Sequence, residues 1–427
     1  MIRASVNYNL PVLLFSRVVS DVGSMMFTFA LSLFVLDTTG SAFSYSLILG
    51  FSILARTLGN ALSGILADRW NKKMLIFSAE LLNAAVLACL TLFLIREGMD
   101  WYLTFAGSVL LNIFSSLLRV STNASIPELL SEEQANKANS MFHSIGAISM
   151  IAGPLLAAVL YEHIGLMLIL IWSTVSYGLS AVLLLFLAYP ESGTKGSEEP
   201  TENKEEATGF KQAISYIRSY TLLYFFLRAA AVLNFILYPM MVLVMPYIAY
   251  QVIGLTATGL SIIQAAWALG MTLGSIVIMK RNDTGYFMHS FFNYLIWQGI
   301  LIAGWAYSSV SPLQELSDWV TVSVYSVLVF LLGGLQMFVQ IPLYTYFQFR
   351  IRKNYRGKVW GIANAMTDIA APFGLWIYGF ILEGVQWFWV PLITGVLVVI
   401  ICIHFQMSRG SGSRIAKELS EPLQQGG

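Results

Sequence analysis

Seven charged side chains stand inside long apolar runs of this 427-residue chain: Arg17, Asp21, Arg56, Glu80, Arg119, Arg228 and Asp368. A charge at the centre of a hydrocarbon layer costs roughly 2.5–3.5 kcal/mol even on permissive scales, so each should face a wet cavity or a partner. Arg17 and Asp21 are four apart on one helical face and can neutralise each other. Arg17 and Arg228 could also hold an anionic or polar ligand. Asp21 and Asp368 are the carboxylates best suited to carry a proton, since desolvation favours the neutral form and a nearby arginine opposes it. Arg119 and Glu80 fall toward the ends of their runs, where snorkelling or pairing with a charged loop is expected. His143, near the start of the fifth run, is a further group that could titrate. Asn234, Gln336 and Gln340 are interleaved with Tyr224, Phe235, Tyr238, Tyr325, Phe338 and Tyr344. Together they would offer a bulky amphipathic molecule an apolar wall with a few anchors. No nucleotide loop, zinc spacing or nucleophile motif appears in a polar segment, so neither an enzyme nor a cofactor is expected.

The elements that must position these groups follow from composition. The chain is 57% hydrophobic and 11% charged, against about 25% charged in a soluble protein. A net charge of +1 points to no nucleic-acid partner. The two cysteines, Cys89 and Cys402, both sit in apolar runs, which argues against a disulfide framework or a metal site. No small-residue cleavage site follows the first run, so no cleavable leader is expected. Apolar runs occur over 10–36, 43–67, 74–95, 101–120, 138–160 and 165–189, then over 220–250, 257–279, 286–308, 319–346, 357–382 and 386–407. Each is about long enough to cross a bilayer core of roughly 30 Å as a helix. The expectation is an all-α membrane protein with twelve transmembrane helices, working as a monomer in a lipid bilayer. With a cytoplasmic N-terminus, nineteen of the 24 Lys and Arg fall in cytoplasmic segments. That bias places both termini inside a cell membrane.

The stretch Pro190–Gly209 has six acids against two bases and no large apolar side chain, which is the composition of a linker. Phe210–Tyr220 then reads as a short amphipathic helix on the cytoplasmic surface. The chain therefore divides into a six-helix bundle over 1–189, a linker over 190–210, a second bundle over 211–407 and a polar tail over 408–427. The two bundles repeat. At an offset of 211 residues, Leu58, Gly59 and Leu62 meet Leu269, Gly270 and Leu273, and Arg17 meets Arg228. At an offset of 218, "AISMIAGP" (147–154) meets "AMTDIAAP" (365–372). Parallel repeats of this kind underlie transporters with a site between halves.

The loop "GILADRWNKKM" adds a named resemblance. Gly64, Asp68, Arg69, Lys72 and Lys73 match the loop signature of the major facilitator superfamily, with Asn71 in place of its second glycine. "DTTGSAFSYSL" (37–47) and "IPELLSEEQANKANSM" (126–141) resemble its macrolide-efflux branch, and "RGKVWGIANAMTDIAAPFG" (356–374) resembles that branch and related siderophore exporters. The resemblance implies a proton-coupled antiporter that exports a drug-like amphipathic compound by alternating access. Export of a siderophore or handling of a lysophospholipid is the alternative, because embedded arginines favour an anionic group. A rival of another class is a sensor or assembly factor that keeps the transporter fold. In the family the loop acid meets the start of span eleven, so Asp68 would be a conformational latch and Gly64 would permit close helix approach. Gly153 and Pro154 keep part of the exporters' span-five packing motif, with Ser149, Ala157 and Ala158 where glycines are usual. The family's arginine in the middle of span four has no counterpart ahead of Arg119.

Overall fold

A computed structural model describes residues 2–188 (except 97 and 99), 212–281 (except 213), 287, 290–310, 317–351 and 356–407. Among these residues the chain is helical with short connections and no strand. Helices satisfy their backbone donors and acceptors within the segment, as a hydrocarbon solvent requires. In chain order they are α1 (Ile2–Thr39), α2 (Ala42–Arg69), α3 (Lys72–Arg96), α4 (Trp101–Leu129), α5 (Glu132–Ile164), α6 (Leu166–Leu185), α7 (Thr221–Pro239), α8 (Ala257–Arg281), α9 (Phe291–Ala303), α10 (Asp318–Arg350), α11 (Arg356–Gly384) and α12 (Trp389–Met407). Ten helices among the described residues are long and apolar enough to cross a bilayer. The other two expected spans are shorter. α9 has 13 residues and runs on as a 3-10 segment over Gly304–Ser309, and the apolar stretch of α12 is Trp389–His404.

Several helices are longer than the apolar runs. α4 continues to Leu129 and α5 begins at Glu132, six residues ahead of the expected 138. A capping box explains the early start: Ser131 Oγ accepts from the Gln134 amide, and Gln134 Oε1 accepts from the Ser131 amide. α7 continues past Pro239 through π-helical turns at Met240–Val244 and Tyr247–Val252. Pro239 and Pro246 immediately precede these turns, and each removes a backbone donor from the ladder. The expected linker and the tail after 407 lie outside the described residues. Residues 214–219 of the expected amphipathic helix are helical, and Ile217 is buried in a hydrophobic core, not laid on a membrane surface.

The chain forms two compact units. One comprises Met1–Lys195 with Pro246–Ser261, and the other Gly196–Met245 with Ile262–Gly427. Residues 246–261, from the end of α7 into α8, thus belong with the first six helices. In the first unit α1 packs on α5 and α6, α2 on α4, and α3 on α4 and α6. Asn9, 1% exposed, ties three helix ends at once. Its amide donates to the Leu129 and Ala188 carbonyls (3.2 and 2.9 Å) and accepts from the Ala188 amide (3.0 Å). Carbonyls at helix C-termini otherwise lack partners.

The second unit repeats these pairings, with α7 on α11 and α9 on α10 and α12. Its core centres on Phe226, edge-on to Phe291 and Phe347 at 5.4 and 5.5 Å. The repeat extends to the tight crossings. A Cβ built at Gly59 on α2 would lie 3.0 Å from the Ser116 Cβ on α4. At the matching Gly270 on α8 it would collide with the Phe330 carbonyl on α10. Such small-residue seams let backbones approach where lipid supplies no hydrophobic drive between helices. On the outer faces Trp172, Phe186 and Phe380 are more than half exposed, as lipid-facing side chains would be.

Candidate functional site

Two of the first unit's embedded charges, Arg17 and Arg119, line a cavity of about 500 Å³ bounded by α1, α4 and α5. Arg17 enters it from α1, Arg119 and Asn123 from α4, and Asn139, Phe142 and His143 from α5. Arg17 Nε donates to Asp21 Oδ2 at 2.7 Å, the pairing expected from their spacing. Its guanidinium also lies 5.7 Å from the centre of the Phe142 ring, within cation–π range. Arg119 Nη2 donates to Asn60 Oδ1 on α2 at 2.8 Å. Ile126, Pro127 and Ala135 supply apolar wall. Sequence position alone assigned Arg119 to a helix end. α4 runs on to Leu129, which leaves Arg119 ten residues from the helix end, on the same cavity as Arg17.

Beside this cavity is a small void of about 20 Å³, which Arg17 also lines. Glu80, only 2% exposed, is on the same lining. Ser180 Oγ donates to one carboxylate oxygen at 2.6 Å and Ser20 Oγ reaches the other at 3.4 Å. Glu80 therefore does not snorkel from a helix end. α3 begins at Lys72, which sets Glu80 two turns inside the bundle. The serines at 20 and 180, unremarkable in an apolar sequence, were the signal that an acid would be caged between α1 and α6.

The α2–α3 loop ties neighbouring helix ends. Lys72 pairs with Glu128 at the end of α4. Lys73 Nζ donates to the Leu185 and Leu187 carbonyls at the end of α6 (2.9 and 2.8 Å). Lysine at a helix C-terminus is favoured by the dipole and by the unpaired carbonyls. Asn71 Oδ1 accepts from the Met74 amide at 3.3 Å, so the residue in place of the second glycine caps α3. Asp68 and Arg69 are exposed, and neither forms an ion pair among the described residues. A Cβ at Gly64 would meet nothing within 4 Å, so no close approach is made there among the described residues. Gly153 does carry one, since a Cβ would collide with Met25 on α1. Next to it Pro154 is buried, and Ala157 and Ala158 are fully buried. Alanine at those positions is small enough for the contact.

In the second unit Arg228 lies over Tyr224, 5.5 Å from the ring centre, much as Arg17 lies over Phe142. Asn234 donates to the Ala230 carbonyl of its own helix. Tyr238, Gln336 and Asp368 are partly buried and Gln340 is exposed. Tyr344 stacks on Trp360 at 4.1 Å and donates to Asn364 Oδ1. Two of the aromatics named as cavity candidates make packing contacts. Tyr325 is fully buried, bonded to Ser308 and the Trp305 carbonyl, and Phe338 packs against Phe287 and Tyr294. Periodicity alone does not separate these two faces of α10.

At the other end of the first unit Asp37 accepts from Tyr161 on α5 (2.6 Å) and from Tyr250 (3.1 Å). Glu162 accepts from both the amide and hydroxyl of Thr258 (2.7 and 2.8 Å). These bonds hold residues 246–261 to α1 and α5. Nothing local in the sequence marks them, because the partners lie 96 to 213 positions apart.

Comparison with known proteins agrees with this architecture. The family model of the Major Facilitator Superfamily matches residues 13–375. Macrolide efflux protein A of Streptococcus pyogenes is 24% identical over 403 residues, covering 91% of this chain and 92% of that protein. A protein of the same description from Enterococcus faecalis is 26% identical over 343 residues, covering 79% of this chain and all of that one. Among solved structures, a bacterial homologue of the iron transporter ferroportin in an inward-facing state superimposes with a TM-score of 0.66 at 17% identity, covering 93% of this chain and 98% of that one. The nucleoside transporter NupG superimposes with a TM-score of 0.67 at 14% identity, over 92% and 98%. At such identities the structural likeness carries the fold alone.

Proposed function

Because the chain belongs to the Major Facilitator Superfamily and is a membrane transporter, we propose that it exports an amphipathic organic compound, by alternating access and coupled to protons. The observation that carries this reading is the cavity among α1, α4 and α5. Its lining is divided between apolar residues (Ile126, Pro127, Ala135, Phe142) and polar or basic ones (Arg17, Arg119, Asn123, Asn139, His143), which suits a molecule with one greasy and one polar end. The macrolide efflux relatives support a drug-like cargo and the outward direction. Asp21, held by Arg17, and Asp368 are the proposed proton carriers. Arg228, Asn234, Tyr238, Gln336 and Gln340 are the second unit's proposed cargo contacts. Flux of a compound panel in proteoliposomes with an imposed pH gradient tests this reading.

Both termini face the cytoplasm in this proposal, following the charge bias. Labelling of Ser197→Cys from outside intact cells, in a chain without Cys89 and Cys402, would contradict that orientation. Asp68 acts as the latch, in a loop whose lysines already anchor α4 and α6. Asp68→Asn is therefore expected to slow turnover severalfold while equilibrium cargo binding is unchanged, because Asp68 is exposed at the helix end and is not on the lining of the α1–α4–α5 cavity. Equal turnover in the two proteins would reduce the loop to a topology signal.

A further inference from the structure

Arg17 serves two acids. Its Nε donates to Asp21 Oδ2 at 2.7 Å, and it stands with Glu80 on the lining of the small void. The charges of both Arg17 and Asp21 reach Glu80. With both acids ionised, the three side chains would carry two negative charges against one positive, and a single proton makes them neutral. Burial decides which acid holds it. Arg17 and Asp21 keep 27% and 19% of their side chains exposed, whereas Glu80 is 2% exposed and forms no ion pair among the described residues. A carboxylate taken out of water with no cation against it is costly, and a carboxylic acid is far less so. Ser180 Oγ donates to Glu80 Oε1 at 2.6 Å, while Oε2 has only the 3.4 Å contact with Ser20, so Oε2 is the oxygen left to carry a hydrogen.

The surroundings bring few other charges. α6 has no charged residue, and its titratable side chain near Glu80 is Tyr177. α4 brings Leu118 and Thr122 to the void and α5 brings Phe142. The other charges of α3, Lys72, Lys73 and Arg96, are at its two ends. The void of about 20 Å³ is room for about one water, with the hydroxyls of Ser16, Ser20 and Thr122 on its lining. Arg17 and Phe142 stand on this lining and on that of the larger α1–α4–α5 cavity.

We propose that Arg17, Asp21 and Glu80 hold one exchangeable proton between them, that Glu80 Oε2 carries it while Arg17 is paired with Asp21, and that a water in the void passes it to and from the cavity. On uptake an O–H bond forms at Glu80 as one breaks on that water, which regains a proton from the water of the cavity. Release runs the other way. The group passes from one net negative charge to none. The inference rests on the proton-coupled reading above for its physiological sense, and it sets the proton on Glu80 in the arrangement where Arg17 holds Asp21.

The test is infrared spectroscopy of the purified full chain in an uncharged detergent at neutral pH, read at the carbonyl stretch of protonated carboxyl groups. The wild type is expected to show such a band, to shift it on exchange into heavy water, and to shift it again when the chain is grown with isotope-labelled glutamate. Glu80→Gln should lose the glutamate part of the band. Asp21→Asn should lose it as well, because Arg17 is then left to Glu80 and the pair is neutral without a proton. Arg17→Gln should add an aspartate band beside the glutamate one, about doubling the total, since two acids then share no cation. Melting temperatures report whether each variant is folded, and the labelled wild type decides the matter without any substitution. A band that ignores the glutamate label would overturn the proposal, as would a folded Glu80→Gln protein with an unchanged band. A glutamate band untouched by Asp21→Asn would also overturn it, since the two acids would then not share Arg17. The measurement needs no transport, so a failure of coupled export in vesicles would sink the export reading and leave this result standing.

Discussion

Gly270→Ala is expected to destabilise the second unit severely, while Gly59→Ala at the matching position of the first unit is tolerated with a small loss. The two glycines are equivalent by sequence offset but not by surroundings. At Gly59 the added carbon meets the side chain of Ser116 and the Ile113 Cα at 3.3 Å, contacts that a shift of a few tenths of an ångström relieves. At Gly270 it falls on the Phe330 backbone, and across the seam a Cβ at Gly333 would meet the backbone of Trp267. Gly274 and Gly334 approach each other one turn along. Backbone cannot rotate away, so α8 and α10 must separate. Overpacking commonly costs about 1–3 kcal/mol, and this backbone clash belongs at or above the top of that range. Thermal unfolding in detergent would show a far larger drop for Gly270→Ala than for Gly59→Ala. Equal drops would mean that the α8–α10 approach is looser than the structure has it.

Arg17→Ala is expected to cost both stability and flux, and the Asp21 partner provides the check. The pair sits in α1 with 27% and 19% of the two side chains exposed, so it is only partly desolvated. Removing the arginine strands a carboxylate beside the buried Glu80, a loss of about 1–3 kcal/mol once the residual exposure is allowed for. Transport should fall about tenfold or more, because Arg17 also lines the cavity. The double variant Arg17→Ala, Asp21→Ala should be more stable than Arg17→Ala alone, since no lone charge remains. Strictly additive melting temperatures would mean that the two side chains do not depend on each other.

How much of this was legible beforehand depends on the range of the interaction. The Arg17–Asp21 pair was readable because it needs only the helical repeat. The glycine crossings were readable as a duplication but not as contacts, since Gly59 and Gly270 match by offset while their partners Ser116 and Phe330 come from other helices. Gly64 shows the same limit: the loop signature names a glycine, and packing decides what approaches it. Arg119 and Glu80 were assigned to helix ends because apolar runs mark the hydrocarbon thickness, whereas α4 runs on to Leu129 and α3 begins at Lys72 behind an asparagine cap. Tyr325 could not be told from a cavity residue because an aromatic stripe has the same spacing whether it lines a cavity or a core. Asp37, Tyr161 and Tyr250 are brought together by tertiary structure alone.

The central claim, that this family member exports an amphipathic compound with proton coupling, is tested most directly in proteoliposomes. The purified chain is reconstituted, an amphipathic fluorescent compound is supplied on the side of the cytoplasmic loops, and a pH gradient is imposed with the opposite side acidic. Accumulation of the compound on the acidic side, abolished by collapsing the gradient and reduced by Asp21→Asn or Asp368→Asn, is the predicted result. Accumulation that is indifferent to the gradient and to both substitutions, or movement of the compound only toward the cytoplasmic side, would contradict it.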